Sequence, residues 1–251
     1  MKYFLTIAIF LILSSPKAYA KCGGSGIYVA YPSPNDKIST GAVVILQAFG
    51  TSRKSLYNFG SKSSIFLQCK NEKIRLIREE VYEGDYNWSQ ALFRAEKLLS
   101  EGEVYTLVFE NVNAPKNASI PRNSTKWVAE KITRNGRIDL RNKIQNNDTE
   151  WLRMGCGPAV YSVFSINTNN LRPTVIEVEI KNICTGEASI FNVITKDNKL
   201  KIGHGMCGGP FVFARNDEYK IRFKNNMQAN SDSWTNWIPC QNPANNPFNK
   251  K

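Results

Sequence analysis

In the stretch TVIEVEIKN the apolar and charged positions alternate strictly. Ile176, Val178 and Ile180 fall on one face, and Glu177, Glu179 and Lys181 fall on the other. A period of two is the signature of a strand with one face buried. YKIRFKN repeats it, with Tyr219, Ile221 and Phe223 inward and Lys220, Arg222 and Lys224 outward. YTLVFEN turns Tyr105, Leu107 and Phe109 inward but leaves Val108 outward between Thr106 and Glu110, which marks Val108 as a candidate contact between domains. GAVVILQAF, SSIFLQC, KIRLIRE, PAVYSVFSI and ASIFNVIT are further short apolar or β-branched runs, most of them bounded by turn-forming clusters such as PSPND, TNNLRP and TKDNK. Many short strands at this spacing predict an all-β sandwich or barrel. One run competes: in SQALFRAEKLLSEG, Leu92, Ala95 and Leu99 also fit a helical period, so residues 89–100 read as strand or helix.

Two of these strands share more than their period. Leu99 precedes Tyr105 by six residues across the polar turn SEGE, and Phe213 precedes Tyr219 by six across RNDE. After each tyrosine strand come a polar loop and a tryptophan segment, NSTKW ending at Trp127 and NSDSW ending at Trp234. A tyrosine opening the penultimate strand of a Greek-key sandwich can turn its hydroxyl back onto the preceding corner, and Tyr105 and Tyr219 are candidates for that role. On these residues the chain resembles a tandem of immunoglobulin-like or fibronectin type III-like β-sandwiches, although the Cys, Trp, Cys spacing of true immunoglobulin domains is not evident. The resemblance implies domain 1 over 21–147 and domain 2 over 148–251. The basic stretch ITRNGRIDLRNKIQNNDTE lies at the junction, and an Asn- and Pro-rich tail at about 242–251 has little to bury and is expected to be disordered.

Residues 1–20 have a basic head, an eleven-residue apolar block and an A-x-A end, the pattern of a secretory signal peptide cleaved after Ala20. The block is shorter than the roughly 20 residues that span a bilayer. Lipid attachment at Cys22 is disfavoured because Lys21 stands where a small residue is needed. A secreted or periplasmic location follows, with no transmembrane segment after cleavage. All six cysteines lie beyond the leader, an even count that reads as three disulfides in an oxidising compartment. The domain division implies Cys22 with Cys69 and leaves three arrangements in domain 2. Cys184 with Cys207 and Cys156 with Cys240 is the preferred one. Sequons at Asn87, Asn117, Asn123 and Asn147 matter only in a eukaryotic host.

Charge and motifs narrow the function. Without Lys2 and Lys17 there are 31 basic and 21 acidic residues, so the net charge is 31 − 21 = +10, which favours acidic partners. The one histidine, His204 in IGHGMCGGP, has no local nucleophile and orienting partner, and reads as part of a glycine-rich turn. The acidic cluster REEVYEGD (Glu79, Glu80, Glu83, Asp85) reads as a solvated turn. No metal-ligand spacing, calcium loop, nucleophile elbow or phosphate-binding loop is present, so neither catalytic residues, metal nor cofactor is expected. The basic residues are not interleaved with aromatics as in nucleic-acid modules, which argues against nucleic acid. The sequence therefore points to a non-catalytic binding or adhesion module for anionic or carbohydrate cell-envelope ligands, or for a protein partner there. The alternative is a secreted glycan hydrolase whose carboxylates converge only in the fold. The candidate surface is the stripe Lys220, Arg222 and Lys224 with Arg215. Trp234 and Trp237, three apart, would point to opposite faces of a regular strand, leaving one of them, Trp237, for ligand contact.

Overall fold

The computed structural model describes residues 24–70, 72–112, 119, 121, 125–131, 140, 144–155, 157–166, 173–225 and 233–245. The leader, Cys22, Cys156, Asn117 and Asn123 lie outside them. The chain is all-β, and its described residues form three sheets.

The first sheet is built from β1 (Gly26–Tyr31), β2 (Lys37–Ser39), β3 (Val43–Phe49), β4 (Ser64–Cys69), β5 (Glu72–Glu83), β6 (Trp88–Ala95), β7 (Val104–Glu110) and β8 (Lys126–Glu130). Their order is β1-β3-β6-β5-β4-β7-β8-β2. The long β5 pairs with β4 through its first residues and with β6 through the rest, so one strand serves two layers. Side chains from both layers, among them Leu46, Phe59, Leu67, Phe93, Leu107 and Trp127, enclose one core. The 89–100 ambiguity resolves as strand: β6 runs to Ala95 and is paired on both sides, which supplies cross-strand bonds that a helix would forgo.

The other two sheets comprise β9 (Ile144–Met154), β10 (Gly157–Ile166) and β13 (Lys199–His204), then β11 (Val175–Asn182), β12 (Ala188–Ile194), β14 (Tyr219–Asn225) and β15 (Ile238–Cys240). Their orders are β13-β10-β9 and β12-β11-β14-β15. Ile176, Val178, Ile180, Ile221 and Phe223 from one sheet meet Phe164, Leu200 and Ile202 from the other, the inward set that the alternation predicts. β9 starts at Ile144, opposite Ile166, so a boundary after Asn147 would cut a paired strand. The residues from Asn242 to Asn245, expected in a disordered tail, are packed: Asn242 Nδ2 donates to the carbonyls of Ala214 and Asp217 at 2.8 and 2.9 Å, and Pro243 is buried. Polar residues that satisfy turn carbonyls are ordered without a large apolar face. Both corners carry the same bond. The Ser100 N–H donates to Tyr105 Oη at 3.0 Å, and the Ala214 N–H donates to Tyr219 Oη at 2.8 Å.

The halves are joined by buried polar contacts. β12 is a sheet edge, and the peptide groups of Asn192 on its open side are met by a side chain: Gln90 Nε2 donates to Asn192 O at 3.1 Å, and the Asn192 N–H donates to Gln90 Oε1 at 2.9 Å. Gln90 is fully buried. Beside it Tyr82, 5% exposed, has its hydroxyl 2.9 Å from both Glu80 and Glu177, and its single hydrogen serves one carboxylate at a time. Burial first, then the charges of Glu177 and Glu80, keep the phenol protonated far above its ordinary range. Val175 packs with Tyr31, Val43, Ile45 and Leu92. Val108 is not among these contacts; it pairs with Phe66 on another face. The acidic run 79–85 is likewise no solvated turn, for Glu79 pairs with Arg94 at 2.7 Å, Glu83 accepts from Tyr57 and Ser89, and Asp85 accepts the Val212 N–H at 3.1 Å.

The expected disulfides do not form, because Cys69, Cys184 and Cys240 are free. Cys69, at the end of β4, is not joined to Cys22; its thiol donates to Glu103 Oε2 at 3.3 Å. Cys240 is not joined to Cys156; its Sγ sits 3.5 Å from Ser162 Oγ in the second core. Cys184 is exposed in the β11–β12 turn, where Asn182 Oδ1 accepts its N–H at 2.8 Å. Cys207 is in a disulfide with none of these three.

Two outcomes are expected. Replacing Gln90 with Ala strips two buried peptide groups of their partners at about 1–3 kcal/mol each, so denaturant unfolding should reveal a loss of about 2–6 kcal/mol. A thiol reagent should label Cys184 first. Burial and the Glu103 carboxylate raise the Cys69 thiol, and burial pushes Cys240 up to about 12, so Cys240 should react only on unfolding. Peptide mapping of alkylated protein, native and denatured without reductant, reads the order directly.

Candidate functional site

The outward residues of β14 form a ladder with the two tryptophans of SWTNW. Lys220 Nζ lies 5.0 Å from the centroid of Trp237, Arg222 Cζ lies 4.7 Å from Trp237 and 4.8 Å from Trp234, and Lys224 Nζ lies 5.7 Å from Trp234. Cation and indole thus alternate over five side chains. Each such contact is worth about 0.5–1 kcal/mol when exposed and about 2 when desolvated.

Both tryptophans lie on this face, contrary to the expectation for a regular strand. Ile221 pairs with Ile238, so an unbroken register would set Phe223 opposite Asn236. Instead the Thr235 N–H donates to Phe223 O at 2.8 Å, and the Phe223 N–H donates to Thr235 Oγ1 at 3.0 Å. The hydroxyl replaces a backbone acceptor, three residues of one segment oppose two of the other, and the side-chain phase flips as at a bulge. Trp237 therefore stands beside Arg222, and Trp234 beside Lys224.

Carboxylates from β11 close the ladder from the other side. Glu179 pairs with Arg222, and Glu177 Oε2 pairs with Lys224 at 3.2 Å. The second of these is the same Glu177 that accepts from Tyr82, so the lowest rung is tied to the joint between the halves. At the upper end the pattern changes. Lys181 and Lys220 are direct cross-strand partners, and among the described residues neither has an ion pair. Like charges placed opposite one another are destabilising. With Glu177 and Glu179 counted against Lys181, Lys220, Arg222 and Lys224, the face carries a net charge of +2. Arg215 is exposed in the corner turn before Tyr219 and takes no part in the ladder. Ile190, opposite Glu179 on β12, is an exposed apolar neighbour of the same face that the sequence reading missed.

Two other candidate places offer less chemistry. His204 Nδ1 lies 2.9 Å from Gly205 O and its ring meets Tyr86 edge-on at 5.5 Å, while Cys207 is committed to its disulfide, so no thiol nucleophile stands ready there. A depression of about 720 Å³ is lined by Cys69, Lys70, Glu72, Lys73, Glu103 and Tyr105. Its carboxylates serve structural partners, with Glu103 accepting from Lys70 at 2.8 Å and from the Cys69 thiol at 3.3 Å. Among the described residues no group of three or more His, Cys, Asp or Glu could hold a metal ion, and no helix is long and apolar enough to cross a membrane.

No protein-family model matches the chain, and no curated protein matches it by sequence. Solved structures align over most of its length at very low similarity. Pullulanase type I from Bacillus subtilis str. 168, complexed with maltose, is 8% identical with a TM-score of 0.26, over 87% of this chain and 24% of the pullulanase. A cytokine receptor complex is 9% identical with a TM-score of 0.24, over 88% of this chain and 98% of that one. The tandem Ig repeats of Dlar are 10% identical with a TM-score of 0.24, over 85% and 97%. This chain spans about a quarter of the pullulanases it aligns with. Superpositions this loose carry neither activity nor ligand across.

Proposed function

We propose that the protein is an exported, non-catalytic binding module, two tandem Greek-key sandwiches of immunoglobulin-like or fibronectin type III-like kind, and that its ladder face holds an anionic cell-envelope polysaccharide. The sandwich reading is supported by two enclosed cores, by the two hydroxyl-to-corner bonds at Tyr105 and Tyr219, and by the three-plus-four division of the second half. Export rests on the leader pattern of residues 1–20.

One observation carries the ligand class: among the described residues Lys181 and Lys220 face each other without a counter-charge, at the top of a surface whose other cations are already neutralised. An anion between them relieves the repulsion. The indoles and carboxylates below hold β14 and the Trp segment in fixed geometry, so the site meets its ligand preorganised. A polysaccharide fits better than a bilayer, because the tryptophan rings are covered by their cations and are not free to insert.

Immobilised heparin tests this. Retention should fall as salt rises, since exposed charges are screened beyond about 10 Å at 0.1 M, and Lys181→Ala with Lys220→Ala should elute at clearly lower salt with an unchanged melting temperature. Arg222→Ala should behave differently. It leaves the Glu179 carboxylate, 13% exposed, without its partner and both indoles without their shared cation, at a cost to stability of about 2–4 kcal/mol. Retention indifferent to salt and to the double substitution would end the proposal.

A further inference from the structure

A second surface, independent of the ladder, lies where the halves meet around the glycine-rich loop that follows β13. The loop demands glycine for a packing reason. A Cβ on Gly209 would lie 2.4 Å from His204 Cα, one on Gly203 would lie 2.0 Å from Val160 O, and one on Gly208 would lie 2.9 Å from Tyr86 O. The Gly209 N–H donates to Tyr86 O at 3.1 Å, so the loop is stitched to the segment between β5 and β6. Side-chain-free backbone of this kind lets aromatic rings from separate parts of the chain gather around it.

Three tyrosines do so. Tyr86, 38% exposed, meets the His204 ring at 5.5 Å. Tyr161 of β10 pairs with Gly203, and its hydroxyl is 3.3 Å from where a Gly205 Cβ would be. Tyr28 of β1, 41% exposed, donates its hydroxyl to Gln47 Oε1; burial raises its phenol, and the nearby Trp88 indole works against that rise, with Trp88 Cβ 3.8 Å from the position of a Gly208 Cβ. The three tyrosine rings come from β1, the β5–β6 segment and β10, so both halves contribute. None of these three phenols has a carboxylate as a hydrogen-bond partner, and the charge of Lys201, near the Tyr161 ring, is held by Glu150 at 2.6 Å.

We propose that this joint binds a neutral oligosaccharide, with the rings of Tyr28, Tyr86 and Tyr161 against sugar faces and the Gln47 amide, His204 ring and Tyr161 hydroxyl meeting sugar hydroxyls. Aromatic rings with an apolar body and a polar tip suit a ligand that is apolar on its C–H faces and polar on its rim. Sites at domain interfaces, lined by aromatic side chains with a few placed polar groups, are the usual setting for small ligands. The neutral Gln47 partner of Tyr28 and the paired Lys201–Glu150 charges beside Tyr161 distinguish this place from the Lys181–Lys220 end of the ladder.

The probes are hexaoses of α1,4-glucose, β1,4-glucose, β1,4-mannose and β1,4-N-acetylglucosamine, titrated into the purified protein and read by calorimetry and tryptophan fluorescence. At least one should bind saturably. Tyr28→Ala and Tyr86→Ala should each weaken it about tenfold or more, Tyr28→Phe should retain most of the affinity, and Lys181→Ala with Lys220→Ala should leave it unchanged. Each variant is first checked by its melting temperature. Should an alanine variant fail to fold, Tyr161→Ala takes its place. Failure of all four hexaoses to bind the folded protein overturns the proposal, and so does binding that folded tyrosine variants leave untouched. The heparin result stands apart from either outcome.

Discussion

A sheet edge cannot be left with buried peptide groups unbonded, and the relation between the two halves of this protein follows from how β12 meets that constraint. Its open side faces the other half, where no further strand among the described residues pairs with it. Gln90 supplies a side-chain amide with the same donor and acceptor as a peptide unit, and both are used on Asn192. An amide is the side-chain group that can do this without introducing charge. Because the substitute pairing is made by β6, the two halves are held at a fixed place on each other. Tyr82 and Glu177, and the apolar contact around Val175, are then brought together by the same alignment.

What the sequence disclosed and what it concealed divide along a physical line. Alternation of period two belongs to the chain alone, so the inward faces of β11 and β14 and the strands around them were legible. The halves' shared Tyr spacing was legible for the same reason, since each hydroxyl reaches an amide only five residues away. Contacts that depend on a partner far along the chain were not. Gln90 and Asn192 are 102 residues apart, and nothing in WSQALF sets this glutamine apart from a solvent-facing one. Disulfide pairing failed because it depends on what a cysteine meets across the fold: Cys69 meets Glu103 and Cys240 meets Ser162, which counting within domains does not reveal.

The candidate surface was half legible. The stripe Lys220, Arg222 and Lys224 is plain in the sequence, but its charge is mostly spoken for, because Glu177 and Glu179 occupy the neighbouring outward positions of β11. The placement of the tryptophans turned on one hydroxyl. Threonine at 235 takes the Phe223 N–H that a strand carbonyl would have taken, and the shift of one residue moves Trp234 from the buried face to the outward one. A reading that treats SWTNW as regular strand has no means of seeing this, since the deviation lies in a side-chain bond.

Glu177 links the two observations. One of its oxygens meets the Tyr82 hydroxyl at the joint and the other meets Lys224 on the lowest rung of the ladder. A carboxylate 7% exposed has little water to fall back on, so each of its two partners is worth more than it would be at the surface. Loss of either contact leaves charge poorly compensated in a place where that is costly. The fixed alignment of the halves and the order of the ladder thus draw on one buried group. A surface that depends on the joint in this way keeps its geometry as long as the halves stay docked, which is a stronger constraint on β14 and the tryptophan segment than their own half imposes.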